Sequence, residues 1–258
     1  MTIPASISAT IEGRAVVRRE VEAWESRRAA AVLKKMAARL GARAFAELLP
    51  GRTVGSVLSA SLEERRAALL TLKTGLGRAG IYAMLGRELA AADRAARLAV
   101  KASRGGTAHS VTRLAVPGCS AGRFAAWFDN LTIDNAEADM IDACPDHYLL
   151  RRLPDGRQEV VETTGGSPAP TRFLVDYADT GAVSIPVDPD YPVQIVGQAV
   201  LDDGFVVGGV RHQFRDRDGT MEALLTVEFP GIFPKRLVNA HCWHLATEFS
   251  NWVTASQR

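Results

Sequence analysis

Six short β-prone runs followed at once by a single long apolar helix constrain this chain more than any other feature. The runs cover residues 159–164, 171–177, 183–187, 193–200, 205–214 and 220–229. Pro154-Asp155-Gly156, Gly165-Gly166, Asp203-Gly204 and Asp218-Gly219 punctuate them, and glycine beside a short polar residue is what a tight reversal requires. Strands joined by such turns pair antiparallel, because a parallel neighbour needs a long crossover. Residues 211–229, around Arg217-Asp218-Gly219, read as a hairpin. The closing helix begins near Lys235 and ends near Val253. Antiparallel strands plus one long helix predict an α+β sandwich in which the sheet curls around that helix. A cavity between helix and sheet follows, and such a cavity is the place to look for a ligand.

The chain before these strands has a different texture. Residues 11–49 read as helix: Ala, Arg, Glu and Leu dominate, and Val17, Val21, Trp24, Val32, Leu33, Met36, Leu40, Phe45 and Leu48 recur at helical spacing. Gly41 is a candidate break and Pro50-Gly51 a stop. Ser61-Leu62-Glu63-Glu64 is a capping box that opens a helix to about Leu72. Gly75, Gly77 and Gly80 mark a turn or a close approach, and residues 81–101 are helical again. From Thr107 the pattern changes to a strand over 111–116, closed by Pro117-Gly118, and short helices over 120–130 and 137–143. The expected organisation is a helical region over residues 1–105 and an α+β unit over residues 106–258.

Composition narrows the function classes. The chain is 47% hydrophobic and 23% charged, the balance of a globular protein able to bury a core. No run reaches eighteen apolar residues, so no membrane span is expected. Met1-Thr2-Ile3-Pro4 has neither a basic start nor an apolar run, so no secretory leader is expected. Cys119, Cys144 and Cys242 are odd in number and widely spaced, which points to a reducing, cytoplasmic setting and not to a disulfide frame. Cys242 can be a ligand but reads better as a small packed residue. The net charge of +2 hides an asymmetry: residues 1–105 carry 19 Lys+Arg against 9 Asp+Glu, the remainder 12 against 20. The basic residues are dispersed among alanines with little aromatic interleaving, so nucleic acid is not the expected partner. The two parts instead complement each other across an internal or subunit contact, which leaves room for a homo-oligomer.

Familiar catalytic motifs are missing. There is no G-x-S-x-G elbow, no G-x-x-x-x-G-K-[ST] loop, no strand–glycine loop–helix fingerprint and no H-E-x-x-H. What remains is a thin set of titratable residues. His244 and Glu248, four apart on the closing helix, project from one face and can grip one divalent cation, with His241 a turn earlier on nearly the same stripe. Taken alone, such a pair is more often a surface hydrogen bond. His147 follows a proline at the end of a short helical stretch, where it can cap a carbonyl. Glu162 shares a strand face with Val160 and needs a partner if buried. His212 shares a face with Val210 and Phe214, as a satisfied core histidine does. Trp127, Phe128, Tyr148, Tyr177 and Trp243 are candidate pocket walls, though large aromatics at such positions are more often plain core.

Together these residues form a pattern. Trp127-Phe128, about twenty residues to Pro145-Asp146-His147, then Val161-Glu162-Thr163-Thr164-Gly165-Gly166, then His244-x-x-x-Glu248 with Asn251 resembles the 2,4-diacetylphloroglucinol hydrolase family, which includes phloretin hydrolase. The resemblance covers roughly residues 120–252. It implies a helix-grip sandwich like that of the pathogenesis-related plant proteins, preceded by helices. It also implies zinc-dependent cleavage of a carbon–carbon bond between an acyl group and an aromatic polyol, a small-molecule substrate. By motif match the zinc ligands would be His147, Glu162, His244 and Glu248, with His212 as acid/base. The interval from His147 to Glu162 is short for the family, and Glu159, on the opposite face of the same strand, competes for the second position. Asp139 and Asp142 stand where the family has a tyrosine and a tryptophan.

Overall fold

The computed structural model describes residues 7–258. Among them, nine strands form one antiparallel sheet. They are β1 (Ser8–Ile11), β2 (Arg14–Val17), β3 (Thr107–Pro117), β4 (His147–Arg152), β5 (Gln158–Glu162), β6 (Thr171–Asp176), β7 (Val193–Val200), β8 (Val206–Arg217) and β9 (Thr220–Pro230). The order across the sheet is β2-β1-β3-β9-β8-β7-β6-β5-β4. The hairpin expected around Asp218-Gly219 forms: φ is 50° and 73° at these residues, and Arg217 pairs with Thr220. Two consecutive positive φ angles make the turn whose twist matches its strands.

Three expectations require correction here. Residues 11–17 are not helical. Ser8–Ile11 and Arg14–Val17 form a hairpin over Glu12 and Gly13, both at positive φ, and add to the edge of β3. Their β-branched residues and the Gly outweigh the helical spacing read from Val17 onward. The region before residue 105 therefore supplies two strands to the sheet as well as helices. Residues 147–152, left unassigned by the sequence pattern, are a strand. Conversely, residues 183–187 are not one. Pro186 has no N–H to give a ladder, and β8 side chains take up that segment's backbone groups instead: Arg211 Nε donates to Ile185 O at 2.9 Å and Gln213 Nε2 to Pro186 O at 3.3 Å.

The helices are α1 (Arg18–Leu48), α2 (Val54–Leu58), α3 (Leu62–Ser103), α4 (Ala121–Ile133), α5 (Glu137–Asp142) and α6 (Lys235–Ala255). Ser61 caps α3, accepting from Glu64 N at 3.2 Å while the Glu64 carboxylate accepts from Ser61 N at 2.9 Å. Helical geometry breaks at Gly41 in α1 and at Gly77 in α3, where φ is 76° and 57°. Only glycine takes such angles without strain.

Two packed clusters share the sheet. One gathers α4, α6 and the strands around Leu114, Phe124, Phe214, Leu225, Leu245 and Phe249. The other gathers Leu33, Met36, Leu69, Leu72, Ile81 and Leu85 of α1 and α3 with Tyr148, Leu149 and Val161. Strands β4 and β5 are thus covered on both faces, and all five residues of β5 are buried. Cations of the first region pair with anions of the second: Arg28 with Asp146, Arg78 with Glu159, Arg97 with Asp203. The charge asymmetry is matched, at these pairs, by an internal contact. No helix among the described residues is long and apolar enough to cross a membrane.

Candidate metal centre

Strand pairing and helix pitch bring distant residues to one place. His147 opens β4 and Glu162 closes β5, and the two lie directly opposite in the ladder. Thr163 N donates to Asp146 O at 3.1 Å, which ties the two strand ends together. Helix α6 presents His244 and Glu248 one turn apart. All four residues are buried: 1% exposure at His147 and His244, 7% at Glu162, 8% at Glu248.

Their donor atoms converge. His147 Nε2 lies 3.1 Å from His244 Nε2 and 3.1 Å from Glu248 Oε2. Glu162 Oε2 lies 3.8 Å from His147 Nε2 and 3.7 Å from His244 Nε2, and His244 Nε2 is 3.5 Å from Glu248 Oε2. A tetrahedral cation with bonds of about 2.0–2.1 Å holds its donors about 3.3 Å apart. The five separations scatter around that value, and three of them are too long for hydrogen bonds. Ligand atoms of Cys144, His147 and His244 lie within 4.8 Å of one another, as do those of Glu162, His241 and His244, so either trio can hold a metal ion.

The surroundings orient these donors. His147 Nδ1 faces Met140 O at 3.2 Å. A carbonyl can only accept, so Nδ1 carries the proton and Nε2 offers its lone pair to the cluster. On its other side, His244 Nδ1 faces Cys144 Sγ at 3.8 Å and Asp146 Oδ2 at 4.0 Å. Asp146, fully buried, is gripped by both arms of Arg28 and by the Thr163 hydroxyl. Burial works against the Asp146 charge, but Arg28 outweighs it and holds the carboxyl below its usual range. Lys73 Nζ donates to Pro145 O at 2.9 Å. Helices α1 and α3 thereby fix the segment that carries His147.

Electrostatics favour a positive ion at the convergence point. Burial opposes ionisation of Glu162 and Glu248, yet His244 and the neighbouring imidazoles lower both pKa values. Burial likewise disfavours a charged His244, but Cys144, Glu162 and Glu248 raise its pKa well above the ordinary imidazole value. Cys144, pushed up to about 11 by burial, is a thiol at neutral pH, so the two carboxylates carry that effect. Two buried carboxylates and a proton on His244 describe a site in which a dication can replace the proton.

Three of the four, His147, Glu162 and Glu248, line a cavity of about 570 Å³, and His244 meets them from behind that wall. The wall is chiefly apolar, with Phe173, Val175, Ile195, Val210, Phe229, Phe249 and Trp252, while His147, Glu162, His212, His241 and Glu248 bring polar atoms to it. Ala92, Ala95, Ala96 and Ala99 of α3 line one side. His212, on β8, is 7% exposed and its Nδ1 has no hydrogen-bond partner. Burial lowers its pKa to about 4, so the ring is neutral at pH 7. Phe249 packs edge-on against it at 4.7 Å.

Among the residues expected to wall a pocket, Phe128 and Tyr177 line this cavity and Trp127, Tyr148 and Trp243 do not. Tyr148 follows His147 on a strand, so it points to the other face, into the α1–α3 cluster beside Lys73. Trp243 is one residue from His244 on a helix and turns away, under Arg14. Trp127 stacks on Phe124 at 6.0 Å. Glu159, the rival for the second ligand position, is fully buried on the opposite face, bonded to Arg78, Arg172 and Tyr82. Trp252, Phe249, Phe229 and Phe233 are walls that sequence reasoning passed over, and His241, placed on the stripe but not among the expected ligands, joins the cluster. The helical spacing of His241, Glu248 and Trp252 on one stripe was the available signal.

No family model and no curated protein matches the chain. The crystal structure of protein Ms6760 from Mycobacterium smegmatis is similar at a TM-score of 0.32 and 12% identity, covering 57% of this chain and 88% of that one. A likeness of that size carries no argument.

Proposed function

We propose that this chain is a zinc-dependent hydrolase that cleaves a carbon–carbon bond next to a carbonyl, on an acylated phenolic or β-diketone-like substrate. What carries the reading is one observation: His147, Glu162, His244 and Glu248 meet at one point, and three of them, His147, Glu162 and Glu248, line a largely apolar cavity. The resemblance to the 2,4-diacetylphloroglucinol hydrolase family, with its helix-grip fold, picks out the same four residues. An N₂O₂ donor set suits zinc, with iron or manganese as its competitors. When bound, zinc would polarise a carbonyl and acidify water near neutral pH.

The remaining chemistry falls to side chains. Hydrolysis adds water oxygen to the acyl carbon, the carbon–carbon pair leaves on the ring carbon, and that carbon takes a proton. His212 is neutral at working pH, so it accepts a proton before it can deliver one, as a base that turns acid. Its unpartnered Nδ1 gives the substrate a buried polar atom to meet. Tyr177, held by Gln158 through its hydroxyl at 2.7 Å, and Phe128 line the cavity where an aromatic ring would lie. The apolar wall also favours a second reading, a cavity that binds or cyclises a small molecule without hydrolysis.

Metal analysis and an activity panel separate the two. Purified chain is expected to carry one tight zinc, lost in His244→Ala, and to release carboxylic acid from acylated phenols or 1,3-diketones. A metal-free chain that binds such compounds without turnover would leave the second reading standing.

A further inference from the structure

His241 sits one turn before His244 on α6, 4% exposed and beside the cavity. Its Nδ1 meets Ser110 Oγ of β3 at 3.0 Å, and Phe229 packs edge-on against the ring at 5.1 Å. Ser110 is fully buried. The ring is therefore fixed with its other nitrogen, Nε2, turned to Glu162 Oε1 at 3.8 Å. That distance is too long for a hydrogen bond. It equals the spacing of Glu162 Oε2 from His147 Nε2 on the other side of the same carboxylate.

The rings of His241 and His244 lie 4.8 Å apart and 12° from parallel. An imidazole nitrogen donates in the plane of its ring. Two near-parallel planes send their lone pairs side by side, so the two nitrogens serve neighbouring points more readily than a single one. Glu162 matches that arrangement, with Oε2 3.7 Å from His244 Nε2 and Oε1 3.8 Å from His241 Nε2.

We propose that Glu162 bridges two cation positions, the second held by its Oε1 and by His241 Nε2. The proposal rests on the metal reading above and extends it from one ion to two. Carboxylate-bridged pairs of divalent ions stand about 3.5–4 Å apart, within the span that two parallel imidazoles set. A divalent first-row ion suits these nitrogen and oxygen donors. With two protein donors the second position is the weaker. Its other sites open toward the cavity, where water or a substrate oxygen completes the shell.

The test uses the full chain, stripped with a chelator and titrated with Zn²⁺ or Mn²⁺ alone by calorimetry and metal analysis. Two equivalents are expected, the second binding on the order of 100-fold more weakly than the first. Paramagnetic resonance of the Mn²⁺-saturated chain should show a coupled pair. His241→Ala should keep the tight equivalent and lose the weak one, and Ser110→Ala should weaken only the second step, by about tenfold. One equivalent at saturation with an isolated Mn²⁺ signal overturns the second position and leaves the first standing. No equivalent at all removes both. Should His241→Ala fail to fold, the pair signal of the unmutated chain decides alone.

Discussion

Glu159 and Glu162 stand three residues apart at the same strand, both buried, and have opposite surroundings. Glu159 faces α3 and meets Arg78, Arg172 and the Tyr82 hydroxyl. Glu162 faces the cavity and meets His147, His241 and His244, with no arginine or lysine among its ion pairs. Permanent cations neutralise the first carboxylate whatever the conditions. Imidazoles can give up their protons, so the second sits among groups able to act as metal donors. A buried carboxylate is read as glue or as ligand from the kind of cation that answers it.

The contrast can be broken most sharply at the cavity. His244→Ala or Glu248→Ala should weaken zinc binding on the order of 100-fold or more and abolish any metal-dependent turnover, with an unchanged circular-dichroism spectrum. Competition with a chelating dye measures the affinity. Global unfolding instead would mark these residues as glue.

On the helix-facing side the effect should appear in stability. Glu159→Ala leaves half-exposed Arg78 without its anion and Arg172, 16% exposed, with exposed Asp202 alone. With the exposed part discounted, the cost is about 2–3 kcal/mol, a Tm lowered by roughly 4–10 °C. Glu162→Gln in metal-free protein should cost less, about 1 kcal/mol, because the imidazoles that hold its pKa down can give up their protons once the carboxylate is gone. Equal losses in the two variants would erase the distinction.

Acid should act in the same sense. Burial opposes the Glu159 charge, but Arg78, Tyr82 and Arg172 hold its pKa down at about 2, against 4.5 for the free group. A folded pKa below the unfolded one contributes stability that is complete above 4.5 and lost as pH falls toward 2. Urea titrations between these values should show that slope in the unmutated chain and a shallower one in Glu159→Gln. The smallest effect is expected from Trp243→Phe, which faces away from the cavity: ligand affinity within about twofold. Phe249→Ala, in the wall, should cost more, and equilibrium binding of an aromatic ketone compares them.

Much of this was legible in the sequence where chemistry is local. Asp218-Gly219 and Ser61–Glu64 announce their turn and cap because positive φ and capping need those residue types. His244 and Glu248 share a face because helix pitch is fixed. What stayed hidden depends on pairing between distant segments. Whether β5 turns Glu162 or Glu159 to the cavity is set by its register with β4 and β6, and strand alternation then sends Tyr148 to the helices. His241 shares the stripe of His244 by helix pitch, but its hydrogen bond to Ser110 depends on β3 packing against α6. The hairpin at residues 8–17 was masked by residues whose spacing also suits a helix.

The most direct measurement is anomalous scattering at the zinc edge from crystals of the purified chain. The expected result is a peak about 2.0–2.2 Å from His147 Nε2, His244 Nε2 and one oxygen each of Glu162 and Glu248. Crystals grown with zinc that show no peak there, with His244 instead hydrogen-bonded as an imidazolium between the two carboxylates, would contradict a metal centre.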